Sequence, residues 1–152
     1  MNSYTFMNSL GRGLGAALVS AALAVSAVQA SAATSGQSAQ GWAFLDGGVG
    51  QTELESMEAD RGKYSLWIMT AHRISGAHLA DAEVTIFNDK REQVFARRLE
   101  GPWLMIDLPL GRYEGRAHYG DETQSRITTI HPGDHHQVIF YFNVAAEVLP
   151  KQ

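Results

Sequence analysis

The corner Leu108-Pro109-Leu110-Gly111-Arg112-Tyr113 constrains the fold of this chain more than any other stretch. Pro109 fixes φ and has no N–H to donate, and Gly111 tolerates positive φ, so regular structure must stop and turn here. Ahead of the corner, Trp103-Leu104-Met105-Ile106 follows Gly101-Pro102 as one extended run. Beyond it, Tyr113, Gly115, Ala117 and Tyr119 alternate with Arg112, Glu114, Arg116 and His118. A period of two with one wet face is the pattern of an antiparallel strand over a core. The rest of the chain must supply strands to pair with this unit.

Candidates for those strands recur along the sequence. Tyr64-Ser65-Leu66-Trp67-Ile68-Met69-Thr70-Ala71 is apolar on both faces, which suits a central strand. Ala82 to Phe87, with Val84 and Ile86 inward, turns through Asn88-Asp89-Lys90 into Glu92 to Arg97 as a hairpin. Thr123 to Ile130 and His135 to Asn143 follow, separated by His131-Pro132-Gly133-Asp134. About seven strands at spacings near 8–12 residues, without alternating helices, predict an all-β, antiparallel β-sandwich. One short helix is expected over Thr52 to Glu58, where Thr52 and Glu55 have capping-box spacing and Leu54 and Met57 share a face. Arg61-Gly62 would close it, and Glu53, Glu55, Glu58 and Asp60 read as a solvated face, lacking the ligand alternation of a calcium loop.

The ends read differently. Residues 1–33 have the form of a cleaved leader: Arg12, an apolar run from Leu14 to Val28, then Val28-Gln29-Ala30-Ser31-Ala32-Ala33 with small-x-small sites ending at Ala30 and Ala32. The run of roughly 15 residues is short of the ~20 that span a bilayer as a helix. Residues 34–40 are expected to be a flexible tail because Ser, Gly, Gln and Ala bury too little to order themselves. Residues 41–63 form an N-terminal edge segment carrying the helix, with Trp42 and Phe44 on a short edge strand; residues 64–143 form the sandwich, and 144–152 a C-terminal tail. There is no cysteine, which excludes disulfides, a lipid-modified cysteine and a cysteine zinc site. The formal charge of −4 carries no basic stripe, so nucleic acid is not an expected partner.

Ala80 to Ile86, the Asn88-Asp89-Lys90 hairpin and above all the Leu108-to-Tyr113 corner resemble the carboxypeptidase regulatory-like domain. That family is a transthyretin-like Greek-key sandwich, and the likeness covers about Tyr64 to Phe142. The stretch from Gly47-Gly48-Val49-Gly50 through Gly101-Pro102-Trp103 is similar to small exported proteobacterial proteins carrying this domain alone. The resemblance implies a fold and little about activity. Transthyretin-like hydrolases of 5-hydroxyisourate end in Tyr-Arg-Gly-Ser, where this sequence has Val148-Leu149-Pro150-Lys151-Gln152, and no His-x-x-Glu zinc motif occurs.

Chemistry-bearing residues are sparse. Six histidines lie after the leader, and His131, His135 and His136 gather with Asp134 around one turn. Neutral imidazoles bind zinc or copper, so this turn is the candidate metal site, weighed against ordinary surface histidines. Adjacent His135 and His136 point to opposite faces if the strand has begun, so at most one joins His131. Trp103 is the candidate stacking platform for a sugar or peptide, weighed against packing of a turn. No serine sits in a Gly-x-Ser-x-Gly elbow, so no catalytic residue is expected. The expectation is an exported, non-catalytic binding or accessory module of the periplasm or envelope, without a cofactor, that recognises a protein, peptide or glycan. A metal-binding protein is the second reading and a small hydrolase the third.

Overall fold

Period-two stretches become strands throughout the computed structural model, which describes residues 32–144. They are β1 (Thr34–Gln37), β2 (Ala43–Gly47), β3 (Leu66–His72), β4 (Glu83–Phe87), β5 (Gln93–Arg98), β6 (Trp103–Ile106), β7 (Gly111–Tyr119), β8 (Glu122–Ile130) and β9 (His136–Phe142). Helix α1 (Gln51–Asp60) and a 3-10 turn (Arg61–Lys63) lie between β2 and β3. One sheet has the order β1-β2-β6-β3-β9 and the other β5-β4-β7-β8. The chain is therefore an all-β sandwich with one short helix.

The corner at 108–111 joins the layers: β6 pairs with β2 and β3 in the first sheet, and β7 with β4 and β8 in the second. Inward side chains meet between them. Phe44, Leu66, Ile68, Leu104, Ile106, Phe140 and Phe142 from one sheet pack on Val84, Ile86, Phe95, Tyr113, Ala117 and Ile130 from the other. Burying such side chains contributes about 1.5–3 kcal/mol each, before the entropy of ordering the chain is charged. Strand β3 is apolar on both faces for a visible reason. Leu66 and Ile68 face the sandwich, while Trp67 joins Met57, Trp103 and Met105 in a second cluster under α1.

The structure corrects several expectations. There are nine strands among the described residues, and β3 and β9 run parallel in an otherwise antiparallel arrangement. Thr34–Gln37 is a strand and not a flexible tail, because its backbone pairs with β2 from Thr34↔Asp46 to Gln37↔Ala43. Composition counts side-chain burial and misses this ladder. Gly36 adds to it, since a Cβ there would stand 2.7 Å from the Phe44 ring. β1 takes the sheet edge, so β2 is interior between β1 and β6. Helix α1 starts at Gln51 behind Gly50, with φ 83° and no side-chain cap, so the Thr52–Glu55 capping box does not form. Its far end runs into the 3-10 turn instead of closing at Gly62. Met57 is buried on the outer face of the first sheet, and Glu53 is turned inward and buried. The expected leader and C-terminal tail lie, apart from Ala32, Ala33 and Val144, outside the described residues.

Candidate functional site

Connections from both sheets converge at the end of the sandwich that carries the Pro109 corner. A groove of about 520 Å³ opens between the β1–β2 turn at Trp42, the Lys63-Tyr64 approach to β3, the Asp107–Leu110 corner and the β8–β9 turn at His131. A second hollow of about 560 Å³ lies between the same corner and the β4–β5 hairpin at Asn88. Trp42, Pro109 and Leu110 line both, forming a ridge between them, and Leu110 is 62 % exposed.

The ridge is held from beneath. The Tyr113 hydroxyl donates to the Pro109 carbonyl at 3.0 Å, and the Tyr113 ring meets Trp42 edge-on at 6.4 Å between centroids. Burial raises the Tyr113 pKa, which keeps the hydroxyl protonated as that donor. Ser65 Oγ donates to the Leu108 carbonyl at 2.9 Å and accepts from the Leu108 N–H at 2.8 Å. Gly111 has φ 148°, a value that disfavours any side chain, so the strand can begin directly after the turn. In the β4–β5 hairpin, Asn88 Oδ1 accepts from the Lys90 and Glu92 N–H groups at 3.0 and 2.9 Å.

The polar groups around the groove are mostly engaged with their own neighbours. Asp134 Oδ2 accepts from the His131 N–H at 2.7 Å and from His136 Nε2 at 2.9 Å. These two contacts, the backbone one first, hold the Asp134 pKa below the usual carboxylate value. His135 Nδ1 donates to the Tyr64 carbonyl at 2.8 Å. The Asp60 carboxylate hydrogen-bonds Lys63 Nζ at 2.6 Å and raises its pKa, while burial, then the Asp60 charge, raises that of Tyr64.

Both candidate residue sets have definite places in this geometry. His131, His135, His136 and Asp134 share one turn, in which Asp134 Oδ2 meets the His136 ring and the His131 N–H. Among the described residues no group of three or more histidine, aspartate or glutamate side chains is placed to hold an ion. His135 precedes the strand, and its ring is drawn off to Tyr64. Trp103 is only 6 % exposed, stacked edge-on against Trp67 at 4.5 Å under α1, so it offers no open face to a sugar or peptide. Trp42, expected on the edge strand, stands just before β2 and lines the loop-end groove.

The buried hydrogen-bonding roles of Asp46 and Ser65 have no signature in the sequence. Asp46 follows Phe44 at the two-residue strand period and so faces inward, but the Gly47-Gly48 run beside it reads as a bend. Ser65 sits among apolar residues where a hydroxyl gives no periodic signal. Comparison of the chain with protein-family models, with curated proteins and with solved structures finds no match in any of the three.

Proposed function

We propose that the protein is an exported, non-catalytic binding or accessory module of the periplasm or cell envelope, and that it recognises its partner at the Trp42–Pro109–Leu110 end. The observation that carries this reading is the ridge itself: an exposed apolar crest between two hollows, on backbone pinned by Tyr113 and Ser65. Pre-organised loops on a rigid sandwich lower the ordering cost of binding. The groove combines an apolar wall at Trp42 and Leu110 with donors and acceptors at Tyr64, Asp107 and His135, a mixture suited to a peptide or glycan segment. The residues of the Leu108-to-Tyr113 corner support placing the chain among carboxypeptidase regulatory-like, Greek-key sandwiches as part of the same proposal.

The test is site-specific photo-crosslinking in exporting cells, with the crosslinker at Leu110 in one strain and at Ile127 in another. Both positions are exposed, at 62 % and 60 %, but Ile127 lies on β8, outside the ridge. A defined partner captured from Leu110 and not from Ile127 is expected. Capture of the same species from both positions, or of none, overturns the assignment of the ridge.

A further inference from the structure

The outer face of the first sheet holds a carboxylate that is only half satisfied. Glu53, in the first turn of α1, is 8 % exposed; its Oε1 accepts from the Gly48 N–H at 3.3 Å, and its Oε2 has no partner among the described residues. One N–H does not offset the water lost on burying a carboxyl group, and a cation beside it would. No lysine, arginine or histidine among the described residues forms an ion pair with it.

Ala33 lies beside this group. A Cβ on Gly47 would strike Glu53 Oε1 and stand 2.8 Å from Ala33 Cβ and 3.0 Å from Ala33 Cα, so both residues share the space over Gly47. Ala33 also packs against the Met57–Trp67–Trp103–Met105 cluster. With Ala32 and Glu53 it lines a hollow of about 380 Å³ at the start of α1. In the sequence, Ala30-Ser31-Ala32 stands directly before it as a small-x-small cleavage signal.

We infer that Glu53 is the receptor for the α-ammonium group created when the leader is cut between Ala32 and Ala33. The inference rests on the reading of the chain as exported with a cleaved leader. The step is peptide hydrolysis by a leader-cleaving peptidase. Water adds to the Ala32 carbonyl carbon, the C–N bond breaks, Ala32 departs as a carboxylate, and the Ala33 nitrogen takes up protons to become an ammonium. Before the cut, that nitrogen is a neutral amide with a single hydrogen. After it, rotation about the Ala33 Cα–C bond turns a cation with three donors toward Oε2. Glu53 lies in the first turn of α1, where the helix dipole favours negative charge. Processing then anchors the edge strand β1 at the residue just before it.

The full-length precursor is produced with ¹⁵N label in exporting cells, as wild type and as Glu53→Gln. The first residue of the recovered protein is identified by mass spectrometry, and its α-ammonium is titrated by NMR. The expected wild-type chain begins at Ala33 and titrates at least about half a unit above the ~7.7–8.0 of an ordinary N-terminus, a rise that Glu53→Gln abolishes. A chain that begins at Ala33 but titrates at or below the ordinary range, or keeps the rise in Glu53→Gln, overturns the pairing and leaves export standing. A start at Ser31 overturns the pairing alone, and an uncut leader overturns both readings. Should Glu53→Gln not be recovered, the wild-type titration decides by itself.

Discussion

Arg97 Nε donates to Asp46 Oδ2 at 2.7 Å, tying β5 of one sheet to β2 of the other at the margin of the core. Asp46 is fully buried and also accepts from the Glu100 N–H at 3.0 Å, while the Arg97 guanidinium lies 5.0 Å from the centre of the Phe44 ring. Removing Arg97 leaves the buried Asp46 carboxylate without its cation, and removing Asp46 leaves the Glu100 and Gly101 N–H groups without their acceptor. Asp46→Ala is therefore expected to lower the free energy of unfolding by about 3–5 kcal/mol, measured by urea denaturation. Arg97→Ala should cost a comparable amount, and the double variant less than the two losses added. Additive losses would show that the residues act independently.

The corner yields a graded pair of substitutions. Tyr113→Phe keeps the ring in the core and removes only the bond to the Pro109 carbonyl, so a loss of about 0.5–1.5 kcal/mol is expected. Gly111→Ala forces a side chain onto φ 148° and should cost about 1 kcal/mol or more. Thermal unfolding of both variants measures the two effects, and an unchanged midpoint in Gly111→Ala would contradict the strained turn.

The corner was legible in the sequence because proline, glycine and strict alternation each act locally. Val84 and Ile86 were legible for the same reason: period two places them on one face, and both are buried. What escaped was non-local. Nothing in Thr34-Ser35-Gly36-Gln37 announces that β2 will offer it a ladder, since backbone groups are the same in every residue. The parallel pairing of β9 with β3 depends on where the chain re-enters the first sheet after β8. Trp103 resembled a turn residue beside Gly101-Pro102 until α1 was laid over it. Sequence proximity of His131, His135 and His136 does not reveal the direction in which each ring points.

Trp42 can be separated from the other two indoles by quenching. Trp67 and Trp103 are 3 % and 6 % exposed beneath α1, whereas Trp42 is half-buried at the loop end. Iodide is expected to quench a single accessible class of tryptophan, and Trp42→Phe should remove that class while leaving the buried emission in place. Once a partner is identified, adding it should protect Trp42 from iodide, and quenching that is unchanged by the partner would argue against the ridge.

Acid should loosen the junction between β8 and β9 through Glu122. One carboxylate oxygen accepts from the Asn143 N–H at 2.9 Å and the other from Gln124 Nε2 at 2.6 Å, with Arg73 3.7 Å away. The Asn143 N–H first, then Gln124, lowers the Glu122 pKa below its ordinary value, and Arg116 and the His131 N–H do the same for Glu114 and Asp134 respectively. A carboxylate whose folded pKa is depressed stabilises the fold above its unfolded pKa, and that contribution is lost as pH falls toward the folded value. Stability from these three groups should accordingly be level from pH 7 to about 5 and decline below about 4.5. Glu122→Gln should make the acid decline shallower and speed hydrogen exchange at the Asn143 amide, which loses its charged acceptor. Exchange at Asn143 that is unchanged in the variant would break the link between this carboxylate and the end of β9.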